Sequence, residues 1–65
     1  MSKEMEFFTF LMEQYARYKN TTADKILRQL DELKLTDYVF NMYEMFHSEA
    51  LENAFADIDK LIESM

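Results

Sequence analysis

The chain contains no glycine and no proline, and this absence limits its possible folds more than any other feature of the sequence. Glycine supplies the positive φ angles and close backbone approaches that phosphate-binding loops, nucleophile elbows and tight β-hairpins require. A hairpin-rich β fold and a nucleotide-binding loop are therefore not expected. Strand-type alternation does not persist anywhere along the chain, whereas apolar residues recur at helical spacing. We predict an all-α fold.

The helical pattern divides the chain into four amphipathic segments, which we expect to form one compact bundle of four short helices. This bundle is predicted to be a single domain over residues 1–65. The four predicted helices cover about residues 3–19, 23–34, 37–46 and 49–63. Apolar side chains cover about half the circumference of the first helix, which is more than the ~100° stripe of a surface helix. The first helix is therefore either the centre of the bundle or partly buried by another chain.

Short polar side chains at the segment starts predict where each helix begins, because they accept hydrogen bonds from first-turn amides. The predicted caps are Ser2, Thr21 or Thr22, Thr36 and Ser48. Asn20 is predicted to end the first helix. The fourth helix has a second possible start near Ala54, with Asn53 as its cap. The hinge between the third and fourth helices is expected at His47-Ser48.

The chain is short for an independently stable domain. A domain of 65 residues buries only about 60% of the surface that its unfolded chain exposes. Small domains usually gain stability from disulfides, a metal or an oligomeric interface. Disulfides, thiol catalysis and cysteine-based metal sites are excluded because the chain has no cysteine. We therefore expect self-association or a protein partner.

The net charge of −6 is confined to the second half of the chain. Acids and bases balance in residues 1–34, whereas residues 35–65 contain seven acids and one base, Lys60. Such a surface repels phosphate backbones and anionic lipids, so nucleic acid and membranes are not expected as partners. The third predicted helix also lacks the lysine or arginine that a helix-turn-helix DNA reader needs.

The first residues do not resemble a signal peptide, because Glu4, Glu6 and Glu13 interrupt their apolar pattern. No stretch approaches the ~20 apolar residues of a membrane span. We expect a cytoplasmic protein.

No catalytic constellation stands out. His47 is the only histidine, and a metal site needs three or four converging ligands. We predict that His47 instead caps the end of the third helix. The acid pairs Asp31-Glu32 and Asp57/Asp59 do not face each other on a helix. We predict a protein that is not an enzyme and has no catalytic residues, metal or cofactor; a small enzyme or metal protein centred on His47 is the alternative.

Six methionines and ten aromatic residues exceed what a bundle of this size can bury. Both residue classes are enriched at protein interfaces. We predict a partner-binding surface formed by aromatic side chains, mainly of the first helix, and by the acidic outer face of the last helices. Its residues are Phe7, Phe10, Tyr15, Tyr18, Phe40, Glu52, Asp59 and Glu63. The predicted partner is a basic protein or a second copy of the chain.

Three stretches carry a resemblance to a known family: EFFTFLMEQYARYKNTTADKIL, LTDYVFNMYEMFHSEA and AFADIDKLI. The chain resembles the small bacterial domain-of-unknown-function family 3791 over nearly its whole length. The matching residues are Glu6, Phe7, Phe10, Glu13, Tyr15, His47, Asp57, Ile58 and Asp59. Family members often have glycine after the histidine, where this chain has Ser48-Glu49-Ala50.

The resemblance implies no activity, cofactor or active site. Genes of the family often lie beside others, including genes for predicted ADP-ribosyltransferase-like proteins, and this arrangement suggests an antitoxin or accessory subunit. Our leading hypothesis is therefore a non-enzymatic interaction module, antitoxin-like or accessory to a neighbouring protein. The second hypothesis is an obligate homodimer in which the first helix pairs with its own copy.

Overall fold

Five α-helices follow one another in the computed structural model, which describes residues 2–64. They are α1 (Lys3–Tyr18), α2 (Ala23–Glu32), α3 (Thr36–Asn41), α4 (Tyr43–His47) and α5 (Leu51–Glu63). Residues 2–64 contain no β-strand, so the predicted all-α fold is confirmed. The first two helices lie close to their predicted bounds, and the predicted third helix is divided in two.

The division of the predicted third helix lies at Met42. The backbone there has φ −85° and ψ 14°, and the Met42 N–H donates to the Val39 carbonyl, which tightens the turn. Residues on both sides of the break pack against α1. The Phe40 ring meets Phe8 edge-on, with 5.6 Å between the centroids, and Tyr43 meets Phe7 in the same way at 5.6 Å. Packing on α1, rather than any glycine or proline, accompanies the break.

Two of the predicted caps are confirmed. The Ser2 side chain accepts a hydrogen bond from the Met5 N–H at 3.1 Å and so begins α1. Thr22 accepts from the Lys25 N–H at 3.4 Å and begins α2. These bonds satisfy first-turn amides that have no partner inside the helix.

The prediction that Thr36 caps the next helix is wrong. Leu35 holds the cap position, and Thr36 is the first residue of α3. The Thr36 hydroxyl instead donates to the carboxylate of Asp31 near the end of α2. Folding of the α2–α3 turn brings this acceptor within reach, and the threonine binds it rather than a backbone amide.

The prediction that Ser48 begins the last helix is also wrong. Its hydroxyl donates to the carbonyls of Glu44 at 2.9 Å and Met45 at 3.1 Å, so Ser48 closes the end of α4. The last helix begins at Leu51, with Ala50 in the cap position and no side-chain cap. This start lies between the two predicted ones, because residues 48–50 are needed to turn the chain from α4 into α5.

The helices α1 and α2 end in the same hydrogen-bonded motif. Asn20 lies just after α1, as predicted, and Lys34 lies just after α2. Both residues have a φ of 60°, which is the left-handed conformation. The N–H of the next residue then reaches back into the last turn, from Thr21 to the Ala16 carbonyl and from Leu35 to the Leu30 carbonyl, both at 2.8 Å. Asparagine tolerates this conformation, whereas lysine has a Cβ that crowds the backbone.

Replacing Lys34 with glycine is therefore expected to raise the free energy of unfolding by about 1 kcal/mol, since relief of the left-handed conformation exceeds the added unfolded-state entropy. Urea denaturation measures the change. Arg28→Gly is the matched control, because it also removes a cation but lies inside α2, where glycine costs about 1 kcal/mol. A lower stability for Lys34→Gly than for the wild type would contradict this account.

Every helix contributes to one hydrophobic core. Its buried residues are Leu11, Met12, Tyr15, Ala16, Ile26, Leu30, Leu35, Val39, Phe46, Ala54, Phe55 and Ile58. The helix α1 supplies four of them and packs against α2, α3 and α4. The helix α1 is thus the centre of the bundle, which was one of the two alternatives predicted from its broad apolar face.

Candidate interaction site

An open cavity of about 460 Å³ lies between the α3–α4 segment on one side and α5 on the other. We call it the α3–α5 groove. Its lining residues are Tyr38, Met42, Met45, Phe46, Asp57, Lys60, Leu61 and Ser64. This volume lies within the range of about 300–1,000 Å³ that is typical of ligand pockets.

The wall formed by α5 presents one face of the helix. Asp57, Lys60, Leu61 and Ser64 follow at intervals of three, one and three residues, so their side chains share one side. They span two helical turns, which is about 10 Å. This wall places an acid and a base beside an apolar residue at the mouth of the groove.

The opposite wall is apolar. Tyr38 and Met45 are 51% and 42% exposed, which places them among the exposed large hydrophobic side chains of residues 2–64. Met42 is half-buried between them, and the core residue Phe46 is 1% exposed. Two methionines and a tyrosine form an adaptable surface, because methionine is unbranched and polarizable and tyrosine combines an apolar ring with a polar tip.

A second acid lies next to Asp57 in space. Glu49, in the turn between α4 and α5, has its Oε1 atom buried without a hydrogen-bond partner among residues 2–64. Desolvation of the carboxyl raises the pKa of Glu49, and the nearby charge of Asp57 raises it further. Two acidic side chains thus lie close together at the Asp57 end of the groove, and this proximity favours the protonated form of Glu49.

The predicted partner-binding aromatic residues do not form one patch. Phe10 is 46% exposed and lies 6.4 Å from the half-buried Phe7, measured between ring centroids. Phe40 is half-buried against Phe8, so its predicted exposure is only partial. Tyr18 is 58% exposed, as predicted for an anchor.

The ring of Tyr18 stacks on Phe55 of α5, with 4.9 Å between the centroids and 23° between the planes. Among the predicted acids, Glu52 and Glu63 are exposed on α5. The predicted residues are thus spread over α1, α3 and α5 instead of converging.

The predictions that Tyr15 is exposed and that Asp59 is a free acid of the outer face are both wrong. Tyr15 is 1% exposed, and its hydroxyl donates to Asp59 Oδ1 at 2.5 Å. Lys19 Nζ lies 3.1 Å from the same oxygen. Helical spacing within α1 does not reveal an acceptor that lies 44 residues further along the chain. The pair joins α1 to α5 inside the fold.

The pair also shifts the pKa values of its members. Burial raises the pKa of Tyr15 well above its ordinary value, and the hydrogen bond to Asp59 raises it further. Partial burial tends to raise the pKa of Asp59, but the hydrogen bonds from Tyr15 and Lys19 outweigh it and lower the pKa below its ordinary value. Tyr15 therefore stays protonated as the donor, and Asp59 stays ionised as the acceptor.

His47 closes the end of α4, as predicted for the end of the third helix. Its Nδ1 lies 2.7 Å from the Tyr43 carbonyl oxygen, and its ring stacks on that of Tyr43 with centroids 4.3 Å apart. The Phe7 ring is nearly perpendicular to the imidazole, with 6.4 Å between the two ring centroids. In the part of the chain that the structure describes, no three histidine, aspartate or glutamate side chains are grouped to hold a metal ion.

The α3–α5 groove was missed at the sequence level. Tyr38 and Met45 share the apolar side of their segment with the core residues Val39 and Phe46, so helical spacing assigns all four to the core. One sequence signal could have indicated the groove. Tyr38 and Met45 are seven residues apart, so they lie on the same side of a helix, at the border of its apolar stripe. The packing of the helices, which this spacing does not show, leaves them exposed.

None of the described helices has the length and apolar character needed to cross a membrane. Comparison with known protein families finds a match to the model described as "Protein of unknown function (DUF3791)", over residues 6–64, so the resemblance noted in the sequence is confirmed. Searches of curated proteins and of solved structures find no match.

Proposed function

We propose that this chain, which belongs to the DUF3791 family, is a non-enzymatic protein–protein interaction module that binds its partner through the α3–α5 groove. The observation that carries this proposal is the groove itself. It exposes Tyr38 and Met45 beside a cavity of about 460 Å³. Aromatic residues and methionine are enriched at interfaces, and exposed apolar clusters with a polar rim mark protein interaction sites.

The biological role we propose is that of an antitoxin-like or accessory partner of a protein encoded beside it in a bacterium, acting in the cytoplasm. The gene arrangement implied by the family resemblance supports this role. The charge distribution supports a protein as the partner, because residues 35–65 carry the whole net charge of −6. That surface repels nucleic acid and anionic lipid.

One observation counts against the second hypothesis, a homodimer paired through its first helix. Leu11 and Tyr15 on the apolar face of α1 are each 1% exposed within a single chain, so that face is already covered.

Co-expression with the neighbouring gene product, followed by size-exclusion chromatography, tests the proposal. The wild-type chain is expected to co-elute with that partner, and Tyr38→Ala and Met45→Ala are expected to weaken the complex about tenfold each, typical of interface anchors. Both residues are about half exposed, so truncation leaves the core intact.

Met5→Ala is the matched control, because Met5 is 41% exposed, much like Met45 at 42%, but lies outside the groove lining. It should co-elute like the wild type. Circular dichroism confirms that all variants are folded. The proposal would be contradicted if the wild-type chain and the partner eluted separately at micromolar concentrations. It would also be contradicted if the groove variants bound the partner as tightly as the wild type.

A further inference from the structure

The α3–α5 groove has the length and charge to select one kind of occupant. Resting on the proposed function, we infer that the groove receives a basic amphipathic α-helix of the partner, with apolar anchors in the groove and lysine or arginine side chains over its acidic rim. The interaction surface is the one described above; its occupant is the new assignment. Three observations support it.

The first observation is the length of the α5 wall. Its lining residues run from Asp57 to Ser64. Seven residues of α-helix extend about 10 Å. A docked helix that uses anchors at positions i, i+3 or i+4, and i+7 spans the same distance. The groove is therefore about as long as a two-turn apolar stripe.

The second observation is the chemistry of the lining. Met42 and Met45 can adjust to different aliphatic or aromatic anchors, because the methionine side chain has three rotatable bonds and a polarizable sulfur. Surfaces of this type receive the apolar face of a helix in several known recognition modes. Leu61 on the facing wall completes the apolar lining.

The third observation is charge complementarity. The helices that form the groove carry the exposed acids Asp37, Glu44 and Glu63, and a further acid, Asp57, belongs to the lining itself. Lys60 is their one lysine, and they contain no arginine. This surface attracts cations and repels the same surface of a second copy of the chain.

The acidic rim also contains an unpaired acceptor. The buried Glu49 Oε1 has no hydrogen-bond partner among residues 2–64, and the carboxylate of Asp57 is its neighbour. A guanidinium or ammonium group placed there would satisfy Oε1 and screen the repulsion between the two acids. The partner helix is thus expected to place a basic residue at this end of the groove.

A synthetic peptide tests the occupant directly. The probe is a helix of about 14 residues, roughly four turns, built from leucine, lysine and one tryptophan, with the leucines on one face. The chain has no tryptophan, so the tryptophan fluorescence comes from the peptide alone. We expect binding that weakens as salt is added, together with shifts of the Met42 and Met45 methyl signals in NMR spectra.

Two control peptides and three variants make the test specific. A scrambled peptide of the same composition and a peptide with glutamate in place of lysine should bind at least about tenfold more weakly, because the first lacks the apolar stripe and the second the charge. Tyr38→Ala and Asp57→Asn should each weaken binding of the lysine peptide several-fold. Met5→Ala should leave it unchanged, because Met5 is 41% exposed and lies outside the groove lining.

Equal binding of the scrambled peptide, absence of binding, or indifference to Tyr38→Ala would overturn the inference. Formation of a homodimer that Tyr38→Ala abolishes, seen in sedimentation, would also overturn it, because the occupant would be a second copy. The proposed function has its own test, the co-elution experiment above. If the neighbouring protein co-elutes and the groove variants weaken that complex, but the lysine peptide does not bind, only the identity of the occupant is wrong.

Discussion

Replacing Phe46 with alanine is expected to lower the free energy of unfolding by about 3–5 kcal/mol. The Phe46 side chain is 1% exposed and is among the largest fully buried side chains of residues 2–64. Truncation loses the transfer free energy of the ring and leaves a cavity that the surrounding helices fill only in part. A domain of this length has a total stability of about 3–10 kcal/mol, so the variant should be largely unfolded or close to it.

Phe10→Ala makes the same substitution at a residue that is 46% exposed. Its expected cost is about 1 kcal/mol or less, because much of the ring is in water in both states. Urea denaturation followed by circular dichroism measures both variants. Similar costs at the two positions would show that Phe46 is not in the core, and the packing of α4 described above would then be wrong.

Removal of the Tyr15 hydroxyl or the Asp59 carboxylate is the second substitution with a large expected effect. The 2.5 Å hydrogen bond joins a buried donor to a charged acceptor. Such bonds contribute about 1.5–3 kcal/mol. We expect Tyr15→Phe to cost about 1–2 kcal/mol, and Asp59→Ala somewhat more, because it leaves the buried Tyr15 hydroxyl without its acceptor and removes the partner of Lys19.

A double-mutant cycle isolates the interaction, since the combined variant should cost less than the sum of the two single variants by about 1–2 kcal/mol. The Lys19–Asp59 contact adds little, because the lysine side chain is 43% exposed. Tyr18→Phe is the matched control. Because Tyr18 is 58% exposed, this variant should lower the free energy of unfolding by less than about 0.5 kcal/mol. If the losses of stability in the two single variants simply added up in the double variant, the hydrogen bond would not be present in solution.

The same pair predicts the pH range in which it stabilises the fold. The pKa of Asp59 is lower in the folded state than its ordinary value of 3.8, so its contribution is present above that value and is lost as the pH falls through the folded-state pKa. The pKa of Tyr15 is higher than its ordinary value of 10.0, so its contribution is present below pH 10.0 and is lost as the pH rises further. Stability measured against pH should fall less steeply in acid for Asp59→Ala and in alkali for Tyr15→Phe.

Helix formation in this chain is decided mainly by neighbours in sequence. The absence of glycine and proline, the helical spacing of apolar residues, and the caps at Ser2 and Thr22 are all visible in the sequence, and the structure confirms the fold class that they predict. The end of α1 at Asn20 is also a local property, because asparagine tolerates a positive φ. Such signals act over a few residues, so they need no knowledge of the fold.

Of the details that local patterns did not predict, the packing beside the break and the Tyr15–Asp59 pair depend on residues distant in sequence, whereas Thr36 and Ser48 bind acceptors three to five residues away. Packing on α1 accompanies the break at Met42, and Asp31 draws the Thr36 hydroxyl away from the cap position. Tyr15 meets an acceptor 44 residues away. Amphipathic spacing shows which side of a helix is apolar, but it does not show how much of that side a neighbouring helix covers.

The limits of local patterns apply to the candidate site as well. The sequence alone establishes an acidic C-terminal half and an excess of aromatic and methionine side chains. The location of the exposed part depends on the angle and distance at which α5 packs against α3 and α4. Because Val39 and Phe46 are buried while Tyr38 and Met45 remain exposed beside α5, the tertiary structure places the groove there, and it also buries Tyr15 on α1.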